Sequence, residues 1–249
     1  MNMDDHLLPA KKLIKTSQRM TVLTGAGIST ESGISDFRSP GGVWSRYKAV
    51  TLQEFKSSSE QRKYYWQYKA ETIPAMLEAK PNNAHKALTQ LDSRGKLLCL
   101  VTQNIDGLHE KSGISKKKII RLHGTNSEAL CLSCGSIIPI QQVLSRLQQG
   151  DTDPRCENCG GLLKPNTISF GQRLRQDDLK RASLATERCD LFMALGSSLQ
   201  VYPACGFVEL ASQLNKPVII INRDPTPLDH LARYCFSATL GQILPILFA

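Results

Sequence analysis

Four of the eight cysteines fall into two pairs, Cys131-x-x-Cys134 and Cys156-x-x-Cys159, separated by 21 residues. Two such knuckles supply the tetrahedral thiolate site that structural zinc prefers, and four sulfurs leave no coordination position open for catalysis. Gly135 after Cys134 and Gly160-Gly161 after Cys159 are turn formers that free backbone amides to point at sulfur. Disulfides are not expected, because the first 20 residues lack the apolar core of a secretory signal. A reducing, cytoplasmic setting is the expectation. Cys99, Cys189, Cys205 and Cys235 stand singly and read as buried core thiols.

A second set of residues has the character of a nucleotide site. The short β-rich run 20–24 ends in Gly25-Ala26-Gly27-Ile28-Ser29-Thr30. A strand running into a tight glycine turn opens a dinucleotide-binding βα unit. Thr30 stands where the third glycine of that fingerprint falls, and the acidic residue expected after a second strand is missing. A plain oxidoreductase is therefore disfavoured. The loop that follows is long, polar and punctuated by glycine, and Asp36, Arg38 and Phe37 are types suited to a ribose, a phosphate and a nicotinamide ring. Phe37 and Trp44 argue against a merely solvated loop.

Three further clusters each follow an apolar run. Gln103, Asn104, Ile105 and Asp106 come after 97–102 and offer paired donors and acceptors. His123 closes the run 119–122, a position suited to a general base. Gly196, Ser197 and Ser198 come after 191–195 and are small enough to let backbone amides approach a phosphate. Asn222, Arg223 and Asp224 end the run 218–222, where Asn222 can bond ribose hydroxyls.

The elements that must position these groups follow from periodicity. The apolar runs are continuous and of strand length, as in a parallel sheet buried on both faces. Helical patterns at 61–77, 83–92, 177–188 and 204–214 alternate with them. The expectation is an α/β fold, a Rossmann-like doubly wound parallel sheet, with ligands beyond the carboxyl ends of its strands. Two segments interrupt the alternation: the aromatic-rich, helical 39–95, and 125–166 with the cysteine knuckles around a helix-like 141–149. A large domain of 20–38, 96–124 and 167–249 is thus expected to carry a helical module (39–95) and a zinc module (125–166).

Charge excludes little on its own: 31 Lys+Arg against 22 Asp+Glu gives +9, which suits acidic partners or solubility. The knuckle region carries Asp151, Asp153 and Glu157 and no cationic helix, so a nucleic-acid-binding zinc ribbon is not expected. No apolar run approaches the ~18–20 residues of a membrane span, so no membrane partner is expected either.

Taken in order, the stretches G-A-G-I-S-T-E-S-G-I-S-D-F-R, T-Q-N-I-D-G-L-H, L-H-G-T, the two C-x-x-C pairs, F-G, G-S-S-L-Q-V-Y-P and I-I-N make the chain resemble the sirtuin family of NAD-dependent protein deacylases, of bacterial type. They extend over about residues 20–245, so the whole of 1–249 would be one catalytic domain. The resemblance implies that Gly25, Ala26, Gly27 and Ser29 line the NAD phosphates, with Asp36, Phe37, Arg38 and Trp44 in the cofactor loop. Gln103, Asn104, Ile105 and Asp106 would surround the nicotinamide ribose and carboxamide. Gly196, Ser197, Ser198, Asn222, Arg223, Asp224 and Leu240 would hold the adenosine half, and His123 would be the base. An acyl-lysine peptide would lie as an added strand along Ile168, Phe170 and Gly171 on one side and Val201 and Tyr202 on the other. The products would be nicotinamide and O-acyl-ADP-ribose; protein mono-ADP-ribosylation from the same NAD site is the alternative.

Three departures modify this expectation. Ser35 replaces a usual proline before Asp36, and Gln172 replaces a common glutamate after Phe170-Gly171. Tyr65-Trp66-Gln67-Tyr68-Lys69 does not reproduce the Tyr-x-x-Arg pair of members that remove acidic acyl groups. Acetyl or longer apolar acyl groups are therefore expected over succinyl.

Overall fold

The computed structural model describes residues 3–36 and 41–249, without the side chains of residues 3–6 and of Trp44. Phe37 and Arg38, assigned above to the cofactor loop, and the side chain of Trp44 lie outside the described residues.

In chain order the elements are α1 (Met3–Thr16), β1 (Met20–Thr24), α2 (Leu52–Ser57), α3 (Ser59–Glu78), α4 (Asn83–Ser93), β2 (Leu97–Thr102), α5 (Leu108–Lys111), β3 (Ile119–Arg121), β4 (Gly124–Cys131), β5 (Ile137–Pro139), α6 (Ile140–Gln148), β6 (Leu163–Thr167), α7 (Gln176–Arg188), β7 (Leu191–Leu195), α8 (Gly206–Gln213), β8 (Val218–Asn222), β9 (Tyr234–Ser237) and α9 (Leu240–Phe248). Six strands form one parallel sheet in the order β3-β2-β1-β7-β8-β9. The expected doubly wound α/β fold is therefore present.

The continuous apolar runs have a direct cause in the two buried faces. On β7, Leu191, Met193 and Leu195 join one core cluster with α1, α4 and α9, while Phe192 and Ala194 join another with α7 and α8. On β8, Ile219 and Ile221 face the first cluster and Val218 and Ile220 the second. Each of these side chains other than Ala194, fully buried, contributes about 1.5–3 kcal/mol. The edge strand β9 escapes the sequence reading because its burial alternates between half-buried and exposed. That alternation also leaves Cys235 exposed, against the expectation of a core thiol.

A three-stranded antiparallel sheet, β5-β4-β6, forms the zinc module, with α6 and the cleft-side helix α3 packed on it. Helix α4 does not group with the helical insertion in which sequence placed it. Its Ala84, Ala87, Leu88 and Leu91 pack in the main-sheet cluster with α9. Asn82 caps it by accepting from the Ala84 amide at 2.9 Å, and its own amide donates to Ile28 O at 2.8 Å, which ties the helix to the glycine turn.

Candidate active site

Register brings the chemical clusters together. Thr24 at the end of β1 pairs with Thr102 on β2 and Leu195 on β7, and Leu195 pairs with Ile221 on β8. The residues that follow, Gly25, Gln103, Gly196 and Asn222, therefore emerge side by side at the carboxyl edge. Between β1 and β7 the chain order reverses direction, the switch point at which open α/β sheets bind ligands.

A cleft of about 1050 Å³ occupies this edge. Of the residues expected at the site, its walls hold Gly25, Ala26, Gly27, Asp36, Gln103, Asn104, Ile105, His123, Gly196, Ser197, Ser198, Asn222, Arg223, Asp224 and Leu240. Ile168, Phe170, Gly171, Val201 and Tyr202 line it as well. Phe170 and Tyr202 are 51% and 65% exposed, an unusual placement for large rings that marks the mouth as a contact surface.

Ser29 and Asp106 are not in the walls but brace them from behind. The Ser29 hydroxyl donates to Asp106 at 2.8 Å, and the Asn104 amide donates to Gly25 O at 3.1 Å and to Ser29 Oγ at 3.2 Å. Burial pushes the Asp106 carboxyl up, against the Leu108 amide and Ser29 hydroxyl that hold it down. Across the cleft, Gln103 Nε2 donates to Ser197 Oγ at 2.9 Å.

Glycine is required where the turn meets the end of β7. The Gly27 amide donates to Gly196 O at 2.9 Å, and a Cβ on Gly25 or Gly27 would stand 2.6 or 2.8 Å from that same oxygen. Such closeness leaves bare backbone facing the cleft, as a phosphate site needs.

His123 is half-buried, and its Nδ1 lies 3.0 Å from Gln103 O. A carbonyl only accepts, so Nδ1 carries the proton and Nε2 is left with its lone pair. Burial lowers the His123 pKa, partly offset by the Gln103 carbonyl, so the ring is neutral at pH 7. The following Gly124 has φ 76°, and a Cβ there would lie 2.0 Å from Asn166 O, which fixes the turn from His123 into β4.

The wall also includes Val50 and Thr167, which sequence reasoning did not name, and Tyr65, Tyr68 and Lys69, which it named only in the comparison with the Tyr-x-x-Arg pair. Four of these come from the 39–95 insertion and one from β6. Aromatic density on α3 does not say which way the rings turn.

The four knuckle cysteines converge with their sulfurs all within 4.8 Å of one another, Cys131 and Cys159 at 3.5 Å and Cys134 and Cys156 at 3.8 Å. Tetrahedral zinc with bonds of about 2.3 Å sets sulfurs about 3.8 Å apart, so the cluster fits that ion. The amides of Ser133 and Cys134 lie 3.4 and 3.5 Å from Cys131 Sγ. None of the four lines the cleft.

Comparisons with known proteins agree with this geometry. The family model described as Sir2 family matches residues 25–203. An NAD-dependent protein deacetylase of Thermodesulfovibrio yellowstonii is 43% identical over 94% of this chain and 90% of its own length. An NAD-dependent protein deacylase 1 of Archaeoglobus fulgidus is 35% identical over 97% and 95%. A Sir2 histidine-to-alanine variant solved with a deacetylated p53 peptide and 3′-O-acetyl ADP-ribose superposes with a TM-score of 0.89 at 34% identity, covering 98% of this chain and 96% of that one. A Sir2 complex with a p53 peptide and NAD+ gives 0.87 at 33% identity, covering 99% and 97%. With its switch-point cleft, its four-cysteine module and this breadth of similarity, the chain belongs to the Sir2 family.

Proposed function

We propose that the protein removes acyl groups from protein lysines at the expense of NAD: acyl-lysine, NAD and water give lysine, nicotinamide and O-acyl-ADP-ribose. The observation that carries this reading is the convergence, in one cleft, of a bare glycine turn at the switch point, a neutral histidine with a free Nε2, and exposed aromatic rims. It is supported by Sir2 relatives solved with acetylated peptide and with acetyl ADP-ribose.

Bound NAD supplies an electrophilic ribose carbon that the acyl oxygen attacks as nicotinamide leaves. Gly25, Ala26 and Gly27 present backbone to the phosphates, and Gln103, Asn104 and Ile105 hold the nicotinamide ribose. Gly196, Ser197, Ser198, Asn222, Arg223, Asp224 and Leu240 take the adenosine half. Asp36, Phe37, Arg38 and Trp44 belong to the cofactor loop. Ser29 and Asp106 act as positioning residues that hold the turn. His123 Nε2 accepts the proton of a ribose hydroxyl, its tautomer set by Gln103 O. The peptide lies between the segments around Phe170 and Tyr202, and pairing to backbone there tolerates many target sequences.

Among the described residues no helix is long and apolar enough to cross a membrane. The four-thiolate cluster, which needs reduced cysteines, supports a reducing, cytoplasmic setting.

Mass spectrometry of an acetyl-lysine peptide, with and without NAD and beside His123→Ala, tests the reading. Loss of acetyl only with NAD, accompanied by O-acetyl-ADP-ribose and abolished in the variant, is the expected result. NAD consumption with a mass gain on a protein acceptor would replace deacylation by ADP-ribosyl transfer.

A further inference from the structure

The mouth of the cleft is bounded on one side by a turn through Phe170, Gly171, Gln172 and Arg173. The Gln172 backbone amide donates to Ser169 O at 3.0 Å, and its side-chain Oε1 accepts the Ser169 amide at 3.1 Å. With Oε1 turned to that amide, the NH2 pole of the side chain is the one left for a ligand. Arg173, next along the chain, lines the same mouth and is exposed.

A neighbouring segment brings two more cations to this turn. The Leu52 amide donates to Phe170 O at 3.1 Å, which ties the start of α2 to it. Lys48, four residues before Leu52, lines the cleft. Lys56, one helical turn after Leu52, lines a second, open hollow of about 380 Å³ together with Gln53, Ser57 and Gly171. Gly171 therefore borders both the cleft and the hollow.

The carboxylates near this rim are committed elsewhere. Hydrogen bonds from the Thr51 amide and hydroxyl, both at 2.8 Å, hold Glu54 low, with a smaller pull from the charge of Lys48, so its carboxylate is spent on capping α2. Across the mouth, Glu209 accepts the Tyr202 hydroxyl. At the start of α7, Asp178 pairs with Arg181, and neither Asp177 nor Asp178 lines the cleft. The carboxylates that do line it, Glu31, Asp36 and Asp224, follow β1 and β8 at the edge of the parallel sheet. Among the described residues, none of Lys48, Lys56 and Arg173 forms an ion pair.

We propose that this rim selects acyl-lysines flanked by aspartate or glutamate, so that the partner is an acidic peptide and Arg173 and Lys56 are the specificity-determining residues. The inference rests on the deacylase reading. Pairing to backbone leaves the target sequence free, and the rim charges bias it. Successive side chains of an extended peptide alternate in direction, so when the acyl-lysine enters the cleft its neighbours stay at the mouth. There an acidic flank meets three cations and the Gln172 NH2 group, and a basic flank meets like charge with no carboxylate to receive it. The hollow beside Gly171 gives one acidic side chain a seat, with the Lys56 ammonium and the Gln53 amide as donors. Charges at an open rim act by drawing in the right partner and repelling the wrong one more than by raw affinity.

The test uses three acetyl-lysine peptides of one length that carry alanine, glutamate or lysine at the two positions on each side of the acetyl-lysine. The full, zinc-loaded chain and NAD are used, and kcat and KM are read by mass spectrometry. An exposed ion pair is worth at most about fivefold, and exchanging glutamate for lysine changes the sign of more than one contact. The expected kcat/KM for the glutamate peptide is therefore about tenfold above that for the lysine peptide, carried by KM, with alanine between. Raising salt from about 0.1 M to about 1 M shortens the screening length from about 10 Å to about 3 Å and should collapse that ratio toward one. The double variant Arg173→Glu/Lys56→Glu should reverse the order of the glutamate and lysine peptides. Equal kcat/KM for the three peptides in the wild type, a ratio indifferent to salt, or one common loss on all three in the double variant overturns the proposal and leaves the deacylase reading standing. Should the double variant fail to fold, the wild-type ratio and its salt dependence decide alone. No NAD-dependent loss of acetyl from any peptide overturns the deacylase reading, and the proposal with it.

Discussion

Replacing Asp153 by alanine is expected to cost the protein about 3–5 kcal/mol, more than replacing the arginine that faces it. The reason lies in who is left behind. Arg62 Nε donates to Asp153 Oδ1 at 2.9 Å and Nη2 to Oδ2 at 2.9 Å, with the two side chains only 7% and 15% exposed. After Asp153→Ala the buried guanidinium retains only the carbonyls of Phe55 and Lys56, at 3.1 and 3.4 Å. After Arg62→Met the carboxylate keeps Arg155 at 2.8 Å, a partner that is 44% exposed, and the expected cost is about 1–3 kcal/mol. The double variant Arg62→Met/Asp153→Leu leaves no stranded charge and should fall within about 1 kcal/mol of the milder single change. Burial raises the Asp153 carboxyl, but hydrogen bonding and charge from Arg62, helped by Arg155, outweigh it and hold the group below its ordinary range. A lowered folded-state pKa gives stability that is full above about pH 4 and lost as pH falls through the folded value, so the penalty of Asp153→Ala should shrink in acid. Urea unfolding of the zinc-loaded proteins at pH 7 reads the order of the three variants, and a pH 3.5 series, in which protonated thiolates release zinc from wild type and variants alike, reads the shrinking penalty. A larger loss in Arg62→Met than in Asp153→Ala, or a double variant as unstable as the sum of the singles, would refute the reasoning.

The remaining predictions concern the cleft and its supports. Gly27→Ala, whose Cβ would stand 2.8 Å from Gly196 O, should raise the KM for NAD at least tenfold; unchanged calorimetric affinity would deny the close approach. The acid limb of kcat/KM should have its midpoint below about 6.5, because His123 is lowered and must be neutral, and His123→Ala should cut kcat by about 10²–10⁴-fold. Chelation should remove one zinc per chain and unfold the knuckle module, with activity lost in step with its circular dichroism; activity lost while that signal stays intact would contradict a bracing metal. Glu31 accepts the Gly241 amide at 2.7 Å at the start of α9, so Glu31→Gln should lower stability by about 0.3–1 kcal/mol in chemical denaturation.

What could be read from the chain alone followed from symmetry of environment. Strands buried on both faces print continuous apolar runs, so β2, β7 and β8 were legible, while β9 at the edge prints a weaker alternation. Strands β4 and β6 were hidden because they bury Asn126, Lys164 and Asn166, polar side chains that a hydrophobicity pattern assigns to the surface. The residues proposed to hold the nucleotide could be picked out because they follow strand ends directly, whereas the part of the cleft wall on α3 depends on how that helix packs against another part of the chain. Lys63 and Lys69 sit on the same helix, one exposed and the other 5% exposed, and no local pattern separates them. Ser29 and Asp106 show a subtler limit: their types suit a ligand, and the structure spends them on each other.

The two free margins of the main sheet bear on how the protein behaves in a crowded solution. One margin, β3, is three residues long and directly follows Lys116, Lys117 and Lys118; the other, β9, is four residues long. Short margins, one of them flanked by positive charge, are poor templates for pairing with another chain. If the cleft takes an extended segment as proposed, the borders of the main sheet resist the same kind of pairing, which would separate recognition of client chains from self-aggregation.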